Sequence, residues 1–512
     1  MMNWKDAVPA SIAIIRQQGY RAFGRALINF LSGKNPDVSI PDTRQAIAPI
    51  QIDDLLGHEA EGIIPSDAVG VEERADRWQR PVEPGAGMKI LYCIHQFYPQ
   101  HFLGTEKFLL NLSTCMQKRG HRVKVVSYSS YENSWYDGKN NGFLQKEYLY
   151  NNIPVLAYKQ KREPHDLHWN IENRALAQFA ERILELECPD VLHLAHGMRI
   201  GNFALAAQRL GIPYVVTLTD FFFLCPNSRL FTSKGTLCAG PEKGEKCRTF
   251  CPEFNNAAVR NRLSLAEQIL RGAHTVVAPS RFLGNLFKKE FPWLNPRVIP
   301  YGIDCGTIKR NTRTYTGSGK LTVLFAGQID IHKGVHVLID AVRQMKSDRI
   351  LVKLYGSGPP LVEQKLKRMA AGDSRIQFGG VYSDDQLGEV FSGVDCVVIP
   401  STWHENNTIV MREALASHVP CIVSDAGGMA EMVQEGKNGF VFRMGDAVHL
   451  KEVFERLIAS PEILADAKRD VTSYTVTSVE QEAIAYENVY VKSRERSTLG
   501  SNAARVVVSA AR

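Results

Sequence analysis

The feature that most constrains this chain is an alternation, made twice, of short β-branched apolar runs with amphipathic helical segments. From Met88, "MKILYCIHQFYP" reads as a strand entering a loop and "GTEKFLLNLSTCMQKRG" as a helix ending at Gly120. The runs "HRVKVVSYSS", "IPVLAYKQ", "DVLHLAHG", "IPYVVTLTD" and "HTVVAPS" follow as strands, with helices expected near 199–210 and 257–271. After "RVIPYGIDCG" and the polar "TIKRNTRTYTGSGK", alternation resumes at Leu321. Six strands are then expected: "LTVLFAGQ", "ILVKLYGSGPP", "IQFGGV", "CVVIPS", "PCIVSD" and "GFVF". Helices between them should begin near Gly334, Leu361, Ser383, Ile409 and Met429. Such a pattern requires parallel sheets covered on both faces. The expected fold is α/β, with two Rossmann-like domains facing a cleft and ligands beyond the carboxyl ends of the strands.

Length supports that division, because 512 residues exceed one ordinary core. The expected parts are a first domain at 88–305, a linker at 306–319 and a second domain at 320–475. A helix at 476–494 should pack back on the first domain, followed by a disordered tail at 495–512. Residues 1–87 form an extension of different character. Its stretch 8–33 reads as an amphipathic helix carrying Ile12, Ile15, Tyr20, Phe23 and Leu27 among Arg16, Arg21 and Arg25. Residues 35–87, rich in Pro, Asp and Glu, read as a flexible tether.

A basic amphipathic helix can lie on anionic lipid, or dock on its own protein or a partner. No apolar run approaches the roughly 20 residues that span a bilayer, and the start lacks the pattern of a cleavable signal. The expectation is a cytoplasmic protein, with peripheral contact at the inner membrane face through 8–33. The formal charge of +7 is mild for this length. It suits an anionic substrate or a lipid surface and argues against a nucleic-acid partner.

The stretch "WHENNTIVMREALA" sets two acids, Glu405 and Glu413, around a helix start, with Asn406, Asn407 or Thr408 as its N-cap. Unpaired N–H groups at a helix mouth suit a phosphate. Carboxylates would repel one, so each acid should face hydroxyl groups, for which it is a strong acceptor. About six residues at roughly 1.5 Å rise place Glu413 about 9 Å from the mouth. The pattern fits a diphosphate with polyols on both sides, although two surface acids near a helix start would look the same. Three further strand-end loops lie on the same unit: "FAGQIDIHKG" with Lys333, "LYGSGP", and "SDAGGMAEMV" with Gly427 and Gly428.

In this order, together with "GGVYSDDQLGEVFSGVDCVVIPS" and "EGKNGFVF", these motifs resemble the retaining glycosyltransferases of family four, which have the GT-B architecture. The opening "FYPQHFLGTEKFLLNLS" is similar to that family's first loop, and the resemblance covers about 88–490. It implies transfer from a nucleotide-sugar with retained anomeric configuration and no catalytic metal or cofactor. It further implies Glu405 on donor-sugar hydroxyls, Glu413 on the ribose, and the amides of Asn407 and Thr408, next to Asn406, at the diphosphate. Lys333 would offset charge on the leaving phosphate. Gly104 would let backbone approach the substrate, and backbone near Val381 would hold the base. The acceptor expected is a glycan or a lipid-linked glycan. A non-catalytic nucleotide-sugar sensor or partner subunit is the alternative.

Two departures from the family pattern keep that alternative open. Gln328 stands where the family usually has Arg, and Thr219 precedes Asp220 where it often has His. Asp220 is thus the candidate for positioning the acceptor hydroxyl or stabilising positive charge at the anomeric carbon, with His196 in reserve. A strand-end Asp that caps the next segment is the plainer reading. His165 and His168 read as surface residues. The loop 225–251 carries Cys225, Cys238, Cys247 and Cys251. Four thiolates there could hold a structural Zn²⁺; free thiols or a redox-labile pair remain open.

Overall fold

The computed structural model describes residues 87–510 apart from 307 and 383–385, with side chains for all of these except 140 and 496–510. The expected helix at 8–33 and nearly all of the tether lie outside the described residues. The chain divides into two compact units, one built from 87–300 with 479–510, the other from 301–478.

The first unit holds nine strands: β1 (Lys89–Ile94), β2 (Arg122–Tyr128), β3 (Gly138–Asn140), β4 (Phe143–Tyr150), β5 (Ile153–Gln160), β6 (Val191–Leu194), β7 (Tyr214–Thr217), β8 (Thr275–Ala278) and β9 (Arg297–Val298). They form one sheet in the order β3-β4-β5-β2-β1-β6-β7-β8-β9. From β5 to β9 every pairing is parallel. The central strands β1, β6 and β7 are buried along nearly their whole length, as crossover helices covering both faces require. At one edge β3 and β4 add antiparallel pairs that the apolar pattern did not predict. The sequence of β4, "FLQKEYLY", is only half buried, so its alternation is weak. The signal lay in the turn instead. Asn151 and Asn152 take φ of 48° and 62°, the left-handed pair that closes a two-residue hairpin.

The second unit has β10 (Leu321–Ala326), β11 (Ile350–Tyr355), β12 (Ile376–Gly380), β13 (Cys396–Ile399), β14 (Cys421–Ser424) and β15 (Gly439–Phe442). These run in the order β12-β11-β10-β13-β14-β15, all parallel. The helix expected from Met429 is a single 3₁₀ turn at Ala430–Met432. The polar stretch expected as a linker packs on this unit. Asn311 is buried and donates to the carbonyls of Phe391 and Val394 at 2.7 Å each, and Arg313 pairs with Asp395 at 2.6 Å. Polarity there marks satisfied anchors, not a free tether.

The last helix, Val479–Ala510, belongs to the first unit. Tyr486 and Tyr490 are fully buried on it. Their hydroxyls meet Thr217 Oγ1 at 2.9 Å and His193 Nδ1 at 2.7 Å. The helix is continued to Ala510, through most of the stretch read from the sequence as a tail. Extending a packed helix costs far less than starting one, and the stretch contains no proline.

Candidate active site

In the second unit the site grows from three neighbouring strand ends, β10, β13 and β14. The loop after β10 carries Lys333 and turns at Gly334 (φ 73°), where a Cβ would lie 1.7 Å from the Pro400 carbonyl. Only glycine admits that approach. Thr402 completes the junction, its N–H donating to the His332 carbonyl at 2.9 Å and its hydroxyl to the Ile331 carbonyl at 3.1 Å. On the other side Gly427 (φ 67°) lies against Glu405, with a Cβ position 2.3 Å from the Glu405 carbonyl. The Gly428 N–H donates to that same carbonyl at 2.7 Å. The backbone of Glu405 is thereby held by the glycine loop after β14, while the loop after β10 is held against Pro400 and Thr402.

Its side chain is just as constrained. Glu405 Oε1 accepts from Lys333 Nζ, Ser401 Oγ and Trp403 Nε1, each at 2.7 Å. Burial alone would raise this carboxyl, but the Lys333 charge and the three hydrogen bonds outweigh it and hold the group below the ordinary carboxylate value. Lys333 also lies 5.0 Å from the centre of the Trp403 ring. Lys333 and Glu405, expected to serve the same ligand, form an ion pair with one carboxylate oxygen already filled.

The following helix, Ile409–Ala416, takes Thr408 as N-cap without any side-chain cap bond. The Thr408 hydroxyl is buried and has no hydrogen-bond partner among the described residues. Arg412, buried, donates from Nε to Asn407 Oδ1 and fixes that side chain beside the mouth. Glu413 is buried on the same helix. Gln328 sits half-buried just past β10, and Val381, 70% exposed, follows β12. Sequence reasoning missed Ser401, Trp403 and Arg412. The first two stand inside the quoted strand-end motif, but nothing in their spacing tells that both reach back to one carboxylate oxygen.

The first unit presents a second cluster at the ends of β1, β6 and β7. His196 Nε2 meets Asp220 Oδ2 at 2.9 Å, while Nδ1 accepts from the Met198 N–H at 3.0 Å. The backbone bond fixes the tautomer, so Nε2 carries the proton and donates to Asp220. Asp220 Oδ1 accepts from the Phe222 N–H at 2.8 Å. Both candidates are brought together, with Asp220 the more exposed member and His196 behind it. Thr219 is buried and donates to the Ala195 carbonyl at 3.0 Å, a structural bond.

His95, which the sequence reading passed over, stacks on His196 at 3.8 Å, and burial, with the Arg199 charge nearby, holds it well below the usual imidazole value. Glu106 lies 3.8 Å from it, and burial raises this carboxyl. Gly104 opens the helix Gly104–Lys118 in this unit and is exposed. His168 is no surface residue: it is buried and accepts from Arg199 Nη2 at 2.7 Å. Residues 225–251 leave Cys225, Cys238, Cys247 and Cys251 as free thiols. Among the described residues, no three His, Cys, Asp or Glu side chains stand where they could hold a metal ion as they lie. No helix among them is long and apolar enough to cross a membrane.

Comparison with known proteins agrees with this geometry. Residues 103–307 match the family model described as Glycosyltransferase Family 4, and 311–473 that described as Glycosyl transferases group 1. A lipopolysaccharide 1,2-N-acetylglucosaminetransferase of Salmonella typhimurium is 26% identical over 241 residues, which cover 43% of this chain and 61% of that enzyme. An uncharacterised glycosyltransferase of Methanocaldococcus jannaschii is 27% identical over 79% of this chain and 98% of its own length. The first of these matches spans less than two thirds of its relative. The Anabaena HepE protein, solved with UDP and glucose, shares the fold with a TM-score of 0.55 and 19% identity, over 78% of this chain and 98% of that one.

Proposed function

Because this chain belongs to the family-four glycosyltransferases of GT-B architecture, we propose that it moves a sugar from a nucleotide-sugar to a glycan or lipid-linked acceptor, with retention at the anomeric carbon. The observation that carries this reading is the Lys333–Glu405 pair at the mouth of an uncapped helix. The first-turn N–H groups with Lys333 form a fixed positive locus for a diphosphate, preorganised where leaving-group charge develops. Glu405 Oε1 is occupied by protein donors, so Oε2 is the oxygen left to accept from a donor-sugar hydroxyl. Its ionised state keeps it an acceptor at neutral pH. The buried Glu413 would take the ribose hydroxyls, and backbone near Val381 the base.

On the acceptor side, Asp220 is assigned to the incoming hydroxyl and His196 to its orientation. Substrates named for relatives, lipopolysaccharide among them, make a cell-surface glycoconjugate the acceptor class of choice. Peripheral contact with the inner membrane face belongs to the same proposal. Binding of UDP, GDP and ADP sugars by calorimetry, followed by release of free sugar, tests it. Slow hydrolysis of a bound donor, lost in both Glu405→Ala and Lys333→Ala, supports the enzyme. Binding without turnover on any acceptor extract would instead support a donor sensor, the reading that the neutral Gln328 favours.

A further inference from the structure

The cysteine loop is not used by the chemistry above, yet its four thiols are not scattered. Cys225, Cys238, Cys247 and Cys251 line one cavity of about 10 Å³, with Leu224, Phe231 and Phe254 between them and Lys246 at its wall. That is roughly the room of one water, too small for an organic ligand. The facing side chains are thiols, hydrocarbon and one lysine, so water would find few partners there. The loop has only a small apolar cluster of its own, in which Cys247 and Cys251 pack with Phe254, Val259 and Leu263.

A second observation comes from the helix Asn256–Gly272, which points Arg262 into the same region. Arg262 is 1% exposed, donates from Nε to the Trp169 carbonyl at 2.7 Å and from Nη2 to the Phe222 carbonyl, and leaves Nη1 without a partner. Among the described residues it forms no ion pair; it stacks on the Phe222 ring at 4.5 Å, and the acidic groups nearest it are Cys225, Asp220 and Cys247. Arginine cannot shed its proton near neutral pH. A buried cation is costly without negative charge around it; Asp220 supplies some of that charge, and neutral thiols add none. Four thiolates around a divalent cation carry a net charge that Arg262 and Lys246 together would neutralise.

We propose that Cys225, Cys238, Cys247 and Cys251 form a structural tetrathiolate zinc site, with Arg262 and Lys246 as its counter-charges. As the side chains lie, the Cys225 thiol donates to Asn227 Oδ1 at 2.8 Å and the Cys238 thiol to the Gly240 carbonyl at 3.4 Å. A thiolate has no proton for either bond. Loading exchanges four S–H bonds for four S–Zn bonds, releases four protons to solvent and frees the sulfurs to turn into the cavity. The site orders residues 225–251 as a metal staple orders a loop with little core.

It also touches the acceptor side. Phe222, whose carbonyl accepts from Arg262, donates its N–H to Asp220. That last link rests on the acceptor-side reading above; the metal site does not.

The test measures metal, without donor or acceptor, on the purified full chain. Elemental analysis should find about one zinc per chain. Titration with an organomercurial should release it in step with four thiols, and a chelator should lower the melting temperature. Cys247→Ser with Cys251→Ser should carry no zinc. Arg262→Met should lose zinc to a chelator faster than the parent while binding UDP equally well. A well-folded parent chain that carries no zinc after growth with added zinc, or equal zinc in the double variant, overturns the proposal. Either result leaves the Lys333–Glu405 reading where it stood, since donor binding is read separately.

Discussion

Both units set an acid beside a base at the carboxyl ends of neighbouring strands, and they do so to different effect. In the second unit Glu405 is 8% exposed, one oxygen takes three donors, and the Gly427–Gly428 loop grips its backbone. In the first unit Asp220 is 25% exposed and holds one imidazole and one backbone N–H. The first arrangement is a clamp whose charges are fixed before any ligand arrives, which is where electrostatic stabilisation is strongest. The second leaves a carboxylate open to an incoming hydroxyl. The lesson is that one fold, used twice, supplies a rigid charged end and an accessible one by varying only what surrounds the strand-end acid.

The sharpest way to break this contrast is to remove the clamp. Glu405→Ala or Lys333→Ala should each reduce turnover by about 10²–10³-fold. Lys333→Met should in addition destabilise the unit by about 3 kcal/mol, because it strands a buried carboxylate; denaturant titration measures this. On the open side, Asp220→Asn should lower transfer by about 10²-fold with UDP affinity unchanged by calorimetry. A parallel fall in UDP affinity would erase the proposed division of labour.

Smaller effects sharpen the same comparison. Gly427→Ala puts a Cβ into the Glu405 carbonyl at a left-handed φ, and about 2 kcal/mol of stability should be lost. Acid should act on the first unit through its buried imidazoles. Burial holds His193 and His168 down to about 3 in the fold, against an ordinary 6.5. As pH falls below 6.5 the unfolded chain takes up their protons first. Their contribution is thus whole above 6.5 and declines from there towards 3. His193→Gln should flatten the dependence of melting temperature on pH across that window. Glu405, held below its ordinary value, instead keeps its contribution until pH falls beneath the usual carboxylate range. The smallest change expected is a gain: Gln328→Arg should tighten UDP binding by about tenfold, roughly 1.4 kcal/mol.

Much of this was legible in the primary structure, and the reason is local. Short β-branched runs separated by amphipathic helices announce parallel strands wherever they occur, so all six strands of the second sheet could be read in order. Strand ends then point to Lys333, Glu405 and Asp220 without any knowledge of contacts. Reading failed where burial, not pattern, decides. β4 is half exposed and shows little alternation, His168 looks like a loop histidine until Arg199 covers it, and Asn311 looks like linker until its amide meets two carbonyls.

What the sequence alone determined is the identity of the elements and the residues that finish their strands, because periodicity and turn chemistry act over a few neighbours. What only tertiary structure decided is which of those residues meet. Lys333 and Glu405 are 72 positions apart in the chain and pair because β10 lies beside β13. Arg262 reaches the Phe222 carbonyl across 40 positions, and four cysteines without paired spacing line one cavity. Side-chain contact between distant segments depends on strand order and on glycines that let backbones approach. Neither quantity is written in the local pattern.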